Sequence, residues 1–547
     1  MRRLKRQVLV VSLAMLMVVS LLATGCGSGT ETTTLSQDDL VEPITIYAAT
    51  ADYDPIRNEF AYLIADEWKK LGFDVKVEAL EWNRLNELVT NQQDFDVATI
   101  RWAGRAERID PDHFVFITLH SSQTDPGQYN ETGYSSPEYD AVAELQRTTL
   151  DPELRREHVF EAQEIATYEQ PYSPVVHRRN LEAYNSADWG NVTTMMGEGI
   201  NSFWNFMSME PKTERTTYHW GYYSEVATLN PMAANASHDL ITLRLIYDRL
   251  VRIGPDGKPQ LWAAEELNII DNTTIDVKIR EGMKFHDGEP VTADDVKFSF
   301  DYMVEAQARY FMGLLKPVES VTVLDQLTVR FKLKEPFAAF IANTLGQVFI
   351  LPEHIWSEVD PATAVEFQNN EPVGSGPFAF EYWRRDEEMK LTANKDHFNP
   401  ANMDAIIKLP FASLQGLVMA FESGTVDNAL NLEPLTADRL AGKDGVTVVN
   451  IEDHGFYYLP YNVRKLPFSD MNVRRALAYA IPKQTIIDAL LEGNGTPAYS
   501  VIGPMNEYWH NPDVEQILYD LDKAREILED AGYRWDDNGR IYYPETQ

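Results

Sequence analysis

The sequence predicts an α/β protein that is built from two or three lobes and contains a parallel β-sheet. Between residues 44 and 100, short β-prone runs alternate with amphipathic helical runs. Because consecutive strands joined by helices lie parallel and are covered by those helices, this order favours a parallel sheet. At 547 residues, the chain is also far longer than one hydrophobic core can serve, so several lobes are expected.

The elements between residues 44 and 100 are identified by their periodicity. Phe60, Ile64 and Trp68 are spaced so that they share one face of a helix. Ligands bind beyond the carboxyl ends of the strands in such sheets, so the segment after Ile100 is the first place to look for a site. In order, we predict a strand at 44–47, a helix at 55–71, a strand at 73–77, a helix at 84–91 and a strand at 94–100.

The rest of the chain adds further helices and strands. A charged amphipathic helix is predicted at 151–168, and a polar connector at 210–217 separates it from a region of strands and turns that extends to about residue 450. We find no low-complexity tract and no short internal repeat. Helical patterns return at 472–480, 483–492 and 522–531.

The first residues predict an exported chain that is held to a membrane by lipid. Basic residues precede a continuous apolar run at 8–23, which is typical of a secretory signal and short for a bilayer span. The run leads to Cys26 through small residues, a pattern that resembles a bacterial lipobox, although Ala23 stands where that motif commonly has leucine. We expect cleavage before Cys26 and lipidation of its thiol, on the extracellular or periplasmic side of the cell membrane. The other interpretation is a free thiol in a membrane-spanning anchor.

The composition excludes some classes of protein. With 84 acidic and 48 basic residues, the chain has a formal net charge of -36, which argues against nucleic-acid binding because phosphate contacts require clustered Lys and Arg. Cys26 is the sole cysteine, so a disulfide framework and a cysteine-based metal site are excluded. His286 has no second histidine at ligand spacing, and a near match to a calcium loop has Arg534 at its first ligand position. We therefore expect no metal and no cofactor.

An ordered set of motifs in the central and final parts of the chain resembles one known family. The motifs are TLNP at 228–231, IYDRLV at 246–251, IREGMKFHDGEPVTADDV at 279–296, VGSGPF at 373–378, FSDMNVRRAL at 468–477 and AREILEDAGY at 524–533. Taken together and in this order, they resemble the family-5 extracellular solute-binding proteins, which are the dipeptide, oligopeptide and nickel receptors of ABC importers.

This resemblance implies a fold and a role. The fold is a two-lobed periplasmic-binding-protein clamp of type II with an extra third lobe. The lobes close on a small-molecule ligand by a hinge motion, and the closed form docks on the permease subunits of an importer. The implied protein is a monomer that makes and breaks no bond, with a peptide as the default ligand of the family.

The order of the family's segments is rotated in this chain. The segment that follows AREILEDAGY in the family resembles residues 43 to about 210 here, whereas this chain ends at Gln547. We interpret this as a circular permutation, with the old ends joined through residues 210–217, because exposed loops tolerate such cuts. A truncated tandem protein and a faulty gene model are the alternatives. The permutation fails as an explanation if Ile44 and Ile541 lie on different lobes.

The permutation implies a division of the chain. The last lobe of the family is assembled here from both ends of the chain, and the lipid would hold the protein by that lobe. We expect a signal peptide at 1–25, a flexible tether at 26–42, a first ligand-binding lobe at 43–185 with 456–547, a second at 186–255 with 371–455, and an extra lobe at 256–370.

The resemblance also indicates where the ligand binds. In peptide receptors of the family, a strand like residues 95–100 is followed by Trp-x-x-Asp, whose Trp lines the pocket and whose Asp pairs with the ligand's α-ammonium group. Trp102 matches the Trp, but Arg105 stands at the Asp position, with Asp110 shortly after. A guanidinium repels an ammonium and attracts carboxylates or hydroxyls, so recognition of a peptide N-terminus is in doubt. Alternatively, Arg105 pairs internally with Glu107 or Asp110.

Further aromatic residues match ligand-facing positions of the family. Trp82 matches a tryptophan that faces the ligand, and Tyr457 and Tyr458 stand where the family's chain crosses between lobes. Aromatic walls suit pockets that accept varied ligands, because they supply contact area without demanding particular side chains. The alternative is that each of these rings belongs to the core.

An enzyme, a receptor for another ligand and a sensor are the alternative functions. The common sequence signatures of hydrolases, metalloproteases and P-loop enzymes are absent, although a glycosidase pair could be present among 84 carboxylates. A receptor for an oligosaccharide or a small acid would use the same fold, and Arg105 favours it. A lipoprotein sensor that serves a signalling partner is the remaining alternative.

Overall fold

The computed structural model of the chain describes residues 36, 39–105, 108–234 and 236–545. The signal segment, Cys26 and most of the tether lie outside the described residues, as does Glu107. Within the part of the chain that is described, no helix combines the length and the hydropathy that a membrane crossing requires.

Helices and strands are mixed along the described chain. The α-helices are α1 (Pro55–Lys70), α2 (Trp82–Asn86), α3 (Pro137–Thr148), α4 (Pro152–Glu169), α5 (Phe203–Ser208), α6 (Ser237–Ile246), α7 (Ala293–Glu305), α8 (Arg309–Leu315), α9 (Leu345–Gln347), α10 (Glu353–Trp356), α11 (Leu414–Glu422), α12 (Pro434–Ala441), α13 (Met471–Tyr479), α14 (Lys483–Leu490) and α15 (Leu521–Asp530). The strands are β1 (Ile44–Ala49), β2 (Val75–Leu80), β3 (Val97–Ala98), β4 (Ile100–Trp102), β5 (Tyr172–Asn185), β6 (Trp189–Gly190), β7 (Glu210–Pro211), β8 (Thr217–Tyr222), β9 (Val251–Ile253), β10 (Pro259–Leu261), β11 (Ala264–Asp271), β12 (Thr274–Ile279), β13 (Val318–Asp325), β14 (Thr328–Leu333), β15 (Phe378–Arg384), β16 (Glu388–Ala393), β17 (Ala405–Pro410), β18 (Asn428–Ala429), β19 (Val446–Glu452), β20 (Phe456–Pro460), β21 (Gly495–Pro497), β22 (Arg534–Trp535) and β23 (Ile541–Tyr542).

The predicted parallel sheet of the first lobe is confirmed. β1 lies between β2 and β3 and is parallel to both. Helix α1 begins at Pro55, where the side chain of Asp54 accepts the backbone N–H of Arg57, and it buries Phe60 and Trp68 completely. The strand predicted at 94–100 is divided into β3 and β4, because β4 leaves this sheet and pairs with β20.

One long strand runs through two lobes. The first part of β5 pairs with β20 and β21 in the first lobe, and its second part pairs with β18 and β19 of the second lobe. The chain returns alongside it through β19 and β20. These two neighbouring crossings are therefore the covalent connections between the sheets of the first and second lobes.

The second and extra lobes each contain a four-stranded sheet. The order is β15-β16-β17-β8 in the second lobe and β11-β12-β14-β13 in the extra lobe. Buried residues of both lobes form one continuous hydrophobic cluster, which includes Trp220 of β8 and Phe331 of β14. The two lobes thus share a core, and the exact lobe boundaries stay a prediction.

The two ends of the described chain meet in the first lobe. Ile44 and Ile541 belong to the same buried cluster, and the N–H of Val41 donates to the carbonyl oxygen of Ile541 at 3.1 Å. The condition that would have excluded a circular permutation is therefore not met, and the permutation stays a hypothesis.

Candidate functional site

A cleft with a volume of about 480 Å³ lies between the first and second lobes. This volume is in the range of sites that hold small molecules and short peptides. The two faces of the cleft come from different lobes, and β5 passes along it. The lining residues are Tyr53, Asp54, Pro55, Ile56, Arg101, Arg178, Arg179, Leu181, Asn431, Leu432, Glu433, Pro434, Leu435, Leu490, Leu491, Glu492 and Asn494.

Each lobe presents the carboxyl end of a strand to this cleft. After β1, the chain passes through Tyr53 and Asp54 into α1. After β18, it passes through Asn431 and Glu433 into α12. This placement agrees with the expectation that ligands bind beyond strand ends in α/β sheets. The cleft lies beyond the end of β1, as well as beside the segment after Ile100 that the sequence indicated.

Three arginines line the cleft, and we call Arg101, Arg178 and Arg179 the cleft arginines. Arg101 is 3.0 Å from Asp453 and Arg179 is 3.0 Å from Glu452. Nη1 of Arg178 donates to the Tyr457 hydroxyl at 3.4 Å. The Nε atoms of Arg178 and Arg179 are buried and have no hydrogen-bond partner. The protein therefore leaves part of the donor capacity of Arg178 and Arg179 unused.

Arg101 is held in the charged state by its neighbours. Burial lowers the pKa of Arg101, but the Tyr457 hydroxyl and the Asp453 carboxylate outweigh that effect and raise it. Asp54, Glu433 and Glu492 also line the cavity, and Asp54 is bound at 2.9 Å by Nε of Arg57. The cleft therefore carries both signs of charge and can bind a ligand that has both an acidic and a basic group.

Two of the sequence-predicted residues lie directly behind this cleft. The Trp82 ring stacks on Tyr53 with a centroid distance of 5.3 Å, and Tyr53 is 52% exposed at the cleft. Tyr457 is fully buried, and its hydroxyl lies 3.3 Å from a carboxylate oxygen of Asp54. Trp82 and Tyr457 thus position groups that line the cavity without lining it themselves.

Three other predicted residues, Trp102, Tyr458 and Asp110, are not among the residues that line the cleft. Trp102 and Tyr458 stack with a centroid distance of 6.1 Å, and the Tyr458 hydroxyl donates to Glu131 at 2.6 Å. Asp110 is bound by both terminal nitrogens of Arg155, at 2.9 and 2.7 Å. All three side chains are buried and held by protein groups, and their contact with a ligand stays a prediction.

The separation of Tyr457 from Tyr458 follows from strand geometry. Successive side chains of a strand point to opposite faces, so these adjacent tyrosines enter different buried clusters. Arg101 and Trp102 in the neighbouring β4 are divided in the same way. The sequence motif around Trp102 therefore leads to the correct strand, whereas the residue before it, Arg101, faces the cavity.

Arg105 lies in a tightly packed segment next to the crossing between β19 and β20. Nε2 of His454 is 2.9 Å from the carbonyl oxygen of Arg105. A Cβ atom at Gly104 would lie 1.9 Å from a carboxylate oxygen of Asp453, and one at Gly455 would lie 2.1 Å from the Trp102 carbonyl oxygen. Glycine is therefore required on both sides of this close approach.

The sequence analysis missed the cleft arginines. Arg178 and Arg179 stand side by side in β5, a strand whose neighbouring residues are mostly apolar or aromatic. An adjacent pair of bases in a buried strand of such an acidic chain is the signal that could have identified them.

Among the described residues, no group of three or more potential metal ligands is found. Nε2–H of His286 donates to the Gly376 carbonyl oxygen at 3.0 Å, and Nδ1 accepts from the N–H of Gly374 at 3.3 Å. Its ring therefore joins two loop segments.

Comparison with known proteins places most of these motifs in one family. Residues 258–547, just over half of the chain, match the model of the bacterial extracellular solute-binding proteins, family 5 Middle. Among similar proteins, the oligopeptide-binding protein AppA of Bacillus subtilis is 32% identical over 309 residues, which cover 54% of this chain and 55% of AppA. The dipeptide-binding protein of Escherichia coli is 29% identical over 315 residues, which cover 52% and 58%.

Solved structures of similar proteins were also found. An oligopeptide-binding protein of Thermotoga maritima aligns with a TM-score of 0.49 and 25% identity over 60% of this chain and 66% of that chain. AppA of Bacillus subtilis in complex with a nonapeptide aligns with a TM-score of 0.45 and 25% identity over 59% and 65%. The chain spans little more than half the length of the curated relatives that it matches.

Proposed function

Because this chain belongs to the bacterial extracellular solute-binding proteins of family 5, we propose that it is the substrate-binding component of an ABC importer. The observation that carries the proposal is the cleft of about 480 Å³ between two lobes that are connected by neighbouring strand crossings. The protein captures a small solute there and delivers it to a permease. It catalyses no reaction in this role.

A peptide is the proposed ligand class. Two relatives bear the names oligopeptide-binding and dipeptide-binding protein. The guanidinium groups of Arg178 and Arg179, which line the cavity, suit a peptide carboxylate, and Asp54 with Glu433 suits an ammonium group. Tyr53 and Leu435, which are 52% and 76% exposed, offer apolar contact to side chains of varied shape.

A small acid is the second candidate ligand. The cleft arginines supply three guanidinium groups, which is more than a single peptide carboxylate requires. A ligand with two acidic groups would use them more fully, and an oligosaccharide would use them as hydrogen-bond donors. The same fold and the same importer role hold for each of these ligands.

Delivery depends on closure of the lobes. β5 and the β19–β20 crossing are the connections about which the first and second lobes turn. A ligand that contacts groups of both lobes stabilises the closed form. The closed form presents both lobe surfaces to the permease in one arrangement, which couples ligand capture to docking.

The ligand proposal is tested by calorimetry with trialanine, its N-acetyl derivative and its C-terminal amide. We expect the amide to bind at least tenfold more weakly than trialanine, because it lacks the carboxylate that the cleft arginines contact. Equal affinities of trialanine and its amide would contradict the proposed carboxylate contact. Failure of all three to bind, with tight binding of a dicarboxylic acid, would replace the peptide by a small acid. A strict requirement for the free ammonium group would overturn the interpretation of Arg105.

The membrane attachment is a separate proposal. The signal segment and Cys26 support export followed by lipidation, which anchors the receptor near its permease. In cells, Cys26→Ser is expected to leave the membrane fraction and to lose incorporation of labelled palmitate. Unchanged membrane association of Cys26→Ser would favour an uncleaved membrane-spanning segment.

We also propose that the rotated order of segments is a circular permutation. Support comes from the contact of Val41 with Ile541 and from the shared cluster of Ile44 and Ile541. The family order is restored in a chain that starts at residue 215 and runs to residue 545. A short linker then joins residue 545 to residue 43, and the chain ends at residue 214. We expect it to fold and to bind the same ligand with a Kd within about threefold, whereas aggregation or loss of binding would contradict the proposal.

A further inference from the structure

A second group of three arginines lies inside the second lobe, away from the cleft. Arg244, Arg249 and Arg252, which we call the inner arginines, are 6%, 4% and 3% exposed. They surround a cavity of about 20 Å³, which has room for one particle about the size of a water molecule. None of the residues that line this cavity lines the interlobe cleft.

Arg249 is the inner arginine whose charge is least compensated. Its Nη1 donates to the Gly346 carbonyl oxygen at 2.8 Å, and its guanidinium carbon lies 5.0 Å from the centre of the Phe349 ring. Its Nε and Nη2 atoms are buried without a hydrogen-bond partner. Among the described residues, no ion pair of Arg249 is found, although a buried charge is costly unless it is paired.

The neighbours of Arg249 have carboxylate partners. Arg244 is bound to Glu198 at 2.5 Å, and Arg252 lies 3.7 Å from Asp248. The same oxygen of Asp248 accepts from Nε1 of Trp262 at 2.7 Å, and its other oxygen lies 3.3 Å from Nε2 of His397, so both oxygens are already engaged. Burial and the proximity of Arg244 and Arg252 hold the pKa of Arg249 well below its usual range. The cavity therefore lies in a positive field that the surrounding protein does not neutralise.

We propose that this cavity binds one small inorganic anion, and that chloride is the anion. A water molecule would fill the volume but would supply no negative charge to Arg249. A carboxylate or phosphate of an organic ligand would require several more atoms than the cavity admits. Gln347 also borders the cavity, and a half-turn of its amide places an NH₂ donor toward the anion.

The site joins four segments that are distant in sequence. Arg244 lies near the end of α6, Arg252 is in β9, Gln347 ends α9, and Glu198 lies in the loop that precedes α5. A bound anion links the second lobe to the segment around α9. We therefore expect chloride to stabilise the fold, independently of whether the cleft holds a ligand.

The proposal is tested on the full chain in two ways. Crystals grown in sodium bromide are expected to give an anomalous difference peak within hydrogen-bond distance of Nε or Nη2 of Arg249. Thermal unfolding is expected to shift upward by several degrees, in a saturable manner, when sodium gluconate is replaced by sodium chloride at constant ionic strength. Arg249→Met is expected to lose this chloride-specific shift, and the exposed control Arg309→Gln is expected to keep it.

Each outcome decides the proposal. No anomalous peak together with equal unfolding temperatures in chloride and gluconate would overturn it. A peak without saturable stabilisation would identify an adventitious ion only and would also overturn it. If Arg249→Met fails to fold, Arg249→Lys and the two wild-type measurements still provide the test, because a saturable chloride shift and a bromide peak need no variant.

Discussion

The molecule contains two groups of three arginines in opposite environments. The cleft arginines line a cavity of about 480 Å³ between lobes, whereas the inner arginines enclose one of about 20 Å³ within the second lobe. Both groups contain buried guanidinium nitrogens without hydrogen-bond partners, in a chain with a formal net charge of -36. The difference in volume indicates different occupants, a solute in the cleft and a single small ion inside the second lobe.

The largest effect is expected from removing two cleft arginines together. In the double variant Arg178→Met and Arg179→Met, the carboxylate of trialanine loses two of the three guanidinium groups that line the cleft. The expected loss is about 3 kcal/mol, or roughly a hundredfold in Kd, by calorimetry. The matched control Arg384→Met removes an exposed guanidinium of the second lobe and should leave Kd unchanged. Unchanged affinity in the double variant would separate the cleft arginines from ligand binding.

A smaller effect is expected from Arg249→Met on the free energy of unfolding, and its sign should depend on whether chloride is present. Without chloride, Arg249→Met removes an unpaired buried charge. The free energy of unfolding of the variant should therefore be at least that of the wild type, and up to about 1–2 kcal/mol higher. In saturating chloride the wild type gains its anion, and the order should reverse. Urea unfolding in gluconate and in chloride measures both values. The same order in both salts would contradict the assignment.

Salt should distinguish the two groups further. The cleft is open to solvent, so increasing ionic strength screens its arginines and weakens trialanine binding with any sodium salt. The inner site should instead respond to the identity of the anion at fixed ionic strength. Calorimetry in chloride and in gluconate should therefore give similar Kd values, and a chloride-specific loss of peptide affinity would place the anion in the cleft.

A small effect is expected from the tyrosine behind the cleft. Tyr457→Phe removes the hydroxyl that contacts Asp54 and Arg178, at 3.3 and 3.4 Å. The expected cost is about 1 kcal/mol, or roughly fivefold in Kd, because these groups would lose orientation but not charge. Tyr458→Phe is the matched control, since its hydroxyl binds Glu131 on the other face. An equal loss of affinity in both variants would indicate a general effect on β20.

Local patterns allowed much of the first lobe to be predicted. The spacing of Phe60, Ile64 and Trp68 identified α1, and the helices predicted at 151–168, 472–480 and 522–531 are confirmed as α4, α13 and α15. These elements are specified by neighbouring residues. The division of the strand at 94–100 was not predicted, because β4 pairs with β20 from the far end of the chain.

The site was predicted less completely for the same reason. Family motifs led to Trp82 and Tyr457, which lie behind the cleft, and to Trp102, Tyr458 and Asp110, which lie in or beside another buried cluster. Arg101 and Arg178 line the same cavity because β20 lies between β4 and β5 and brings these strands together. No short motif contains that information, since the contacts of Arg101 with Asp453 and of Arg178 with Tyr457 join residues 352 and 279 positions apart.

Native mass spectrometry of freshly purified protein tests the central claim most directly, because receptors of this kind can retain ligand through purification. The account predicts one retained solute that carries at least one carboxylate or other acidic group, and its loss from the Arg178→Met and Arg179→Met double variant. Retention of an uncharged or purely cationic solute, or equal retention of an acidic solute by the wild type and the double variant, would contradict it.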